Sequence, residues 1–461
     1  MAGRKSTTDL TIGNPLKVTL LFALPLFLSN ICQQIYNLSD IAIIGHALGD
    51  NALSAIGSVS TIYGFFNSFY FGMASGFGVV ISKYYGAKNP DQLRKAVANT
   101  GFIAILWSLI ITTIGLISLK PLMRVLHTPD SIFDMAYSYA VIVIGLSFFL
   151  FMYNVLSGML RSIGNSKAPL YFLMISVSLN LLLNYSFVVK LGMGLPGAAI
   201  ATAISQFVSS ALTVIYIIKY VPELHLKKED LSLNRNMLSD IFTSGIAFAL
   251  MYTVVNLGTM ILQSAINGFG PTTIAAHTTA RKISEMCMMT VSTLANAMAT
   301  FAGQNHGARR YDRIKEGLKK VMLFSFCFDT VLIAVIYTFG NMMVRGISGT
   351  STQELIDTAT FYLKVDLPFY YVLSIILITR TTLQGIGARF VPIIASVMEL
   401  LFKAFTAGYL ALKLGYLGIA ICEPVTWVIC AAFILSVFLV EIKKLGKLQA
   451  QLESSGEIVR E

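Results

Sequence analysis

The chain has 461 residues, of which 55% are hydrophobic and only 12% charged, with a formal net charge of +11. Soluble globular chains carry about a quarter charged residues, so this composition excludes an ordinary soluble domain and predicts an all-α polytopic membrane protein. The basic residues are scattered through short segments rather than gathered in one compact domain, which argues against a nucleic-acid partner.

The opening, MAGRKSTTDLTIGNPLK, has no short apolar core followed by a small-residue cleavage site. It is read as part of the mature protein, not as a signal peptide. A helix needs about 20 mostly apolar residues to cross a bilayer. In chain order the stretches that qualify are 16–47, 52–84, 94–118, 132–161, 168–189, 195–219, 238–267, 273–303, 314–343, 355–386, 391–412 and 416–441, twelve in all.

The first stretch carries Pro25, which removes a backbone hydrogen bond and is a candidate hinge. Further along, Gln33, Asn37 and Asp40 follow i, i+4, i+7 spacing and predict one polar stripe on a helix, with Gln34 beside it. An ionised carboxylate in hydrocarbon costs several kcal/mol unless it is partnered or faces water, so Asp40 is a functional candidate. Asn180 and Asn184 share a face of the fifth stretch, and Thr202 and Gln206 share a face of the sixth. Spacing alone does not bring these three faces together. If they meet, one carboxylate, amide oxygens and a hydroxyl suit a hard monovalent cation such as Na⁺, since hard cations take oxygen ligands. A proton on Asp40 would neutralise the same charge.

Residues 221–240, VPELHLKKEDLSLNRNMLSD, form a long polar stretch near the midpoint. The expected organisation is a six-helix bundle over 1–220, a cytoplasmic linker over 221–237, a second six-helix bundle over 238–445 and a cytoplasmic tail over 446–461. The halves repeat one another: GAKNPDQLRKAV from Gly86 parallels GARRYDRIKEGL from Gly307, LRSIGNSKAP parallels LQGIGARFVP, and GLPGAAIATAISQ parallels GYLGIAICEPVTW. Six spans return the chain to the side it left, so the two bundles should be pseudo-symmetric about the membrane normal and suited to alternating access.

In the second half, Asp329 and Asp366 are candidates to attract a cationic substrate, and Met286 and Met289 belong to a Met-rich stretch that offers an adaptable apolar surface. Glu399 and Lys403 stand four apart, so an intrahelical ion pair is expected. Arg380 is placed to bind an acid or to snorkel, and Glu285 to pair with Arg281 or Lys282. The five cysteines form no C-x-x-C pair and read as small buried hydrophobes. No P-loop lysine motif or H-E-x-x-H is present, so the chain is read as neither an enzyme nor an ATP-driven pump. With both termini inside, the cytoplasmic segments hold most of the Lys and Arg, and the other side only Lys120, Arg124, Lys190, Arg345 and Lys413.

The stretch YNLSDIAIIGHALG with Pro25 before it, the paired GA-x-x-x-D loops, NSKAP and GLPGAAIAT together resemble the multidrug and toxic compound extrusion (MATE) family, over nearly the whole chain. The resemblance implies a secondary antiporter, with no cofactor, that exports cationic amphipathic compounds in exchange for Na⁺ or H⁺. It implies a monomer in the bacterial plasma or inner membrane, with membrane lipids and organic cations as its partners. It also implies that Asp40, Asn37, Asn180, Asn184 and Thr202 meet in the N-terminal bundle as the cation site, with Gln33 and Gln34 near the substrate. The chain departs from many prokaryotic members in having Asn184 where they carry a second Asp, and in lacking an acid in its seventh span. A lipid-linked oligosaccharide flippase of the same superfamily is the alternative, though the intramembrane charges here are mostly acidic.

Overall fold

The computed structural model describes residues 7–349 and 352–455, and the regular elements among these are helices. The first seven are α1 (Pro15–Leu48), α2 (Asp50–Gly86), α3 (Pro90–Val125), α4 (Asp130–Gly145), α5 (Ser147–Ser162), α6 (Lys167–Asn184) and α7 (Gly194–Tyr220). The rest are α8 (Arg235–Ile266), α9 (Pro271–Gly307), α10 (Tyr311–Ser348), α11 (Gln353–Asp366), α12 (Tyr370–Gly385), α13 (Phe390–Leu414), α14 (Tyr416–Ala420) and α15 (Cys422–Ser454). The pairs α4–α5, α11–α12 and α14–α15 each read as one interrupted span, so the helices account for the twelve stretches.

Local sequence sets the helix starts. Asn14 accepts from the backbone N–H of Leu16 and Lys17, with Pro15 at the first helical position. Asn89 caps α3 in the same way, accepting from Gln92 N at 3.1 Å, with Pro90 next. Asn234 does so for α8 through Asn236 and Met237. A 37-residue helix such as α2 is about 55 Å long at 1.5 Å per residue, so it projects well beyond a hydrocarbon core about 30 Å thick.

Among the described residues, eleven segments are long and apolar enough to cross a membrane by length and composition; α9 is long enough but too polar. The reason lies in its packing. It lies against α10, α11 and α12, and buries polar residues such as His277, Thr279, Ser284 and Gln304 among them. An interior helix of a bundle need not be apolar. The outer faces are the apolar ones: Leu109 and Ile117 on α3, and Leu401, Phe405 and Leu412 on α13, are more than half exposed. A multi-pass protein presents such a surface to lipid.

Contacts divide the chain into two compact units. One holds the residues up to Asp9 together with Leu24–Ala249; the other holds Leu10–Ala23 together with Leu250 onward. The repeat is visible in the backbone. Left-handed residues recur in pairs, Gly49 with Gly270, Lys88 with Arg309, His127 with Gly349, Gly164 with Gly387 and Gly194 with Gly415, at separations of 221 to 223 residues. Each pair closes the same turn in its own half, which identifies the repeated loops independently of their side chains.

In the first unit, Tyr70 stacks on Phe151 at 4.8 Å inside a core that also takes Met73, Phe77, Leu160 and Ile163. Gly72 and Gly76 of α2 press on the backbone of Ala249, Ser244 and Gly245 in α8; a Cβ at Gly72 would lie 2.5 Å from Ala249 Cα. Small residues four apart on both helices allow this close crossing, a common device in membranes. In the second unit, Leu262, Ile266, Ala407, Ile419 and Cys422 form one core cluster, and Ala302, Tyr311, Ile314 and Leu445 another. The five cysteines are free.

The mid-chain polar stretch is packed rather than loose. Val221 and Leu224 enter the core of the first unit. Asn99 of α3 donates to Ser232 O and accepts from Asn234 N. Asp230 is buried, accepting from Lys227 N at 2.9 Å and Arg94 Nε at 3.0 Å. The Lys227 backbone N–H, and then Arg94, hold the Asp230 carboxyl below its ordinary pKa against its burial. A folded pKa below the unfolded value stabilises the linker at neutral pH, and this contribution disappears as pH falls through the folded pKa. Limited proteolysis should therefore leave residues 221–234 intact at pH 7 and cleave them more readily below about pH 4, the unperturbed Asp range. Arg94→Ala should make cleavage faster at pH 7; an unchanged digestion rate would remove the tether.

Past residue 441 the last helix continues to Ser454 instead of ending with the apolar run. Lys444 pairs with Glu441 at 2.6 Å, and Gln449 Oε1 accepts from Tyr311 N at 3.3 Å. The first part of the expected tail is thus helical and joined to the start of α10.

Candidate functional site

The site is built inside the first unit. Asp40 lies on α1, eight residues before its end. Asn180 and Asn184 stand one turn apart on α6, and Thr202 on α7; both asparagines are fully buried. These four residues come together. Asn184 Nδ2 donates to Asp40 Oδ1 at 2.5 Å. The Asn180 amide fits between its neighbours in two ways. With its nitrogen toward Asp40, it donates to Oδ1 at 2.8 Å and its oxygen accepts from Thr202 N and Oγ1, each at 3.3 Å. With its oxygen there, it accepts from Asn184 Nδ2 at 3.0 Å and its nitrogen donates to Thr202 Oγ1 at 3.3 Å. The first setting is the favoured one, because the second turns the amide oxygen toward the carboxylate oxygen of Asp40.

Beyond Asn184 the chain widens into a π-helical turn, Tyr185–Lys190, closed by Leu191 N donating to Ser186 O at 2.9 Å. Such turns are rare and cluster at functional sites. Asn184 Oδ1 is buried without a hydrogen-bond partner, an oxygen left open beside a carboxylate.

Three tyrosines complete the surroundings. Tyr36 OH lies 3.2 Å from Thr202 Oγ1, and Tyr36, Tyr63 of α2 and Tyr139 of α4 all stand within electrostatic reach of the Asp40 carboxylate. Tyr63 and Thr202, with Gln206, also line a small cavity of about 10 Å³, and Gln206 Oε1 is buried without a partner. Among the described residues, the side chains that hydrogen-bond within this cluster offer hydroxyls and amides. The spacing of Tyr36, four before Asp40, was available in the sequence; Tyr63 and Tyr139 look like ordinary aromatic packing there.

Other expected residues fall elsewhere. Asn37, Gln33 and Gln34 are exposed, and none has a contact to the cluster among the described residues. At about 100° per residue, Tyr36 and Asn37 diverge to opposite sides of Asp40, by about 40° and 60°, and α6 and α7 lie on the tyrosine side. Asn37 is therefore not a ligand of this cluster as it stands. Pro25 lies inside α1, which continues through it, and Ser29 Oγ donates to Pro25 O at 2.8 Å.

Asp329 and Asp366, the candidates to attract a cationic substrate, are 0% and 1% exposed within the second unit. Ser374 donates to Asp329 at 2.7 Å, and Ser284 to Asp366 at 3.3 Å. Met286 is exposed and Met289 half-buried. The expected Glu399–Lys403 pair forms at 3.2 Å, but as part of a larger chain. Arg281 contacts Glu423 at 2.5 Å, Lys403 bridges Glu423 at 3.0 Å, and Arg380 reaches Glu399 at 3.4 Å. Tyr362 OH adds a hydrogen bond to Glu423 at 3.1 Å. Arg281 also lies 3.9 Å from Glu285, the pairing expected along α9.

A protein-family model, MatE, matches residues 25–186 and 247–408, once in each half. The chain is 27% identical over 433 residues to a Bacillus subtilis relative, "Probable multidrug resistance protein YoeA", covering 91% of each chain. It is 23% identical over 374 residues to the Staphylococcus aureus "Multidrug export protein MepA", covering 81% of this chain and 80% of that one. Among solved structures, "Crystal structure of MATE in the bent conformation" superposes with a TM-score of 0.90 at 22% identity, over 97% of this chain and 99% of that one.

Proposed function

The chain belongs to the MatE family of multidrug efflux transporters, whose model covers both of its halves, and we propose that it is a cation-coupled antiporter in which the Asp40 cluster carries the coupling ion. The observation that carries this reading is the convergence of Asp40, Asn180, Asn184 and Thr202 around one carboxylate with the Asn184 oxygen unpartnered beside it. One negative charge matches a monovalent cation, and amide and hydroxyl oxygens complete a shell without adding charge.

The two settings of the Asn180 amide fit this role. When the site is empty, the amide nitrogen satisfies Asp40 directly. When a cation enters, the amide oxygen turns toward it and the nitrogen finds Thr202. A proton on Asp40 is the alternative ion and needs no such turn. Either ion removes a buried charge, and a two-state protein responds by shifting toward the state that binds the ion better.

The cargo proposed is a cationic amphipathic compound, as the names of the relatives suggest. The flippase reading is not favoured, since those names are of multidrug exporters. The membrane proposed is a bacterial plasma or inner membrane with both termini cytoplasmic, because that orientation places most Lys and Arg inside.

The test is ethidium efflux from proteoliposomes with a Na⁺ gradient and a pH gradient imposed separately. If Na⁺ is the ion, Thr202→Val should weaken Na⁺-driven efflux by about tenfold, about 1.4 kcal/mol for a lost ligand. Under H⁺ coupling the same substitution should leave efflux within about twofold. Efflux indifferent to both gradients would end the antiport proposal.

A further inference from the structure

A groove of about 590 Å³ runs along the second unit between α10, α12 and α15. That volume lies within the range of small-molecule and cofactor sites. Met322, Phe326, Ile375, Leu435 and Phe438 give it hydrocarbon walls. Two basic side chains stand on its wall. Lys315 and Lys319 stand one turn apart on α10, both exposed. The nearby Glu316 is taken by Lys320 at 2.5 Å. Lys315 reaches across to α15 where Gly446 offers no side chain; a Cβ there would come within 2.9 Å of its Nζ.

A second observation points to a ligand. Thr379 of α12 lines the same groove, is 1% exposed, and its Oγ1 has no hydrogen-bond partner among the described residues. It lies six residues before the end of α12, about 9 Å along the axis. Two ammonium groups on one wall, one buried unpartnered hydroxyl on α12 and apolar side chains around them match the groups of a phospholipid: phosphate, glycerol ester and acyl chain.

We propose that this groove is a binding site for one anionic diacyl phospholipid, its phosphate held by Lys315 and Lys319 and its ester region by Thr379. Charge decides the occupant. Two lysines without an ion pair among the described residues repel the cationic amphiphiles proposed as cargo, whereas basic pockets between membrane helices attract anionic headgroups. The site is separate from the Asp40 cluster, and its test does not depend on the coupling ion.

The experiment uses the purified full chain in detergent micelles, titrated with phosphatidylglycerol or phosphatidylcholine of identical acyl chains and read by native mass spectrometry. One bound phosphatidylglycerol should be retained with about tenfold preference over phosphatidylcholine. Lys315→Ser with Lys319→Ser should reduce the preference to near parity, Thr379→Val should weaken retention of both lipids, and Lys444→Ser should change neither. Melting temperatures confirm that each variant is folded. In the unmodified protein, phosphatidylglycerol with a photoreactive acyl chain should label peptides from α10, α12 and α15. Equal retention of the two lipids, a preference that survives loss of both lysines, labelling spread evenly over the helices, or protection of the groove by tetraphenylphosphonium instead would each overturn the proposal.

Discussion

Asp40→Asn is expected to abolish gradient-driven efflux while leaving the protein folded. The two side chains have nearly the same shape, and the asparagine oxygen still accepts the hydrogen bond that Asn184 now donates to Asp40 at 2.5 Å. What changes is charge. One elementary charge moved across the membrane contributes about 2.3 kcal/mol per 100 mV, which at about 1.4 kcal/mol per decade is a roughly 50-fold difference in the cargo ratio the gradient can sustain. The variant should lose that leverage and let cargo equilibrate. Ethidium accumulation in cells lacking other pumps is the measurement, with membrane abundance and melting temperature as controls. Asn184→Asp is the informative companion: it adds a second acid at the unpartnered oxygen, and should shift coupling toward two charges per cycle. An Asp40→Asn protein that still builds a gradient would show that the driving ion binds elsewhere.

The helices were legible because hydropathy and helical period are local properties. The repeat was legible because turns such as those at Gly164 and Gly387 need left-handed residues at fixed places. Half of the candidate site was legible for a similar reason: Asn180 and Asn184 share a face, and a lone carboxylate in an apolar run is conspicuous. Its tyrosines were not, since Tyr63 and Tyr139 differ from packing residues only in where their hydroxyls end. The mid-chain stretch was read as a polar linker, and its packing was not legible: Asp230 and Asn99 give its polar groups partners within the first unit. The same limit hid the charge chain of the second unit. Glu399 and Lys403 are one turn apart and could be paired on paper, whereas Arg281 and Glu423 are separated by 142 residues and only folding makes them neighbours.

That chain of charges is expected to hold the second unit together, and Glu423→Gln should destabilise it more than any single apolar truncation on the outer faces. Glu423 is 3% exposed and accepts from Arg281, Lys403 and Tyr362. Removing its charge takes the shared carboxylate from two cations: Lys403, buried at 3% exposure, keeps its ion pair with Glu399, and Arg281 the more distant Glu285, with the buried Asp366 within electrostatic reach of both. Breaking a buried pair by neutralising one partner costs about 3–5 kcal/mol, because the remaining charge stays desolvated. The expected result is a clear fall in melting temperature in detergent and low abundance in the membrane. Replacing both partners, Glu423→Gln with Lys403→Met, should recover much of the loss, since the unpaired ammonium is gone and Arg281 retains Glu285. A double-mutant cycle on melting free energy measures this coupling. Additive losses would mean that the two groups do not stabilise one another. A coupling of several kcal/mol together with intact ethidium efflux in the double variant would make the chain of charges a structural brace for the second unit, leaving the ion-driven step to Asp40 in the first.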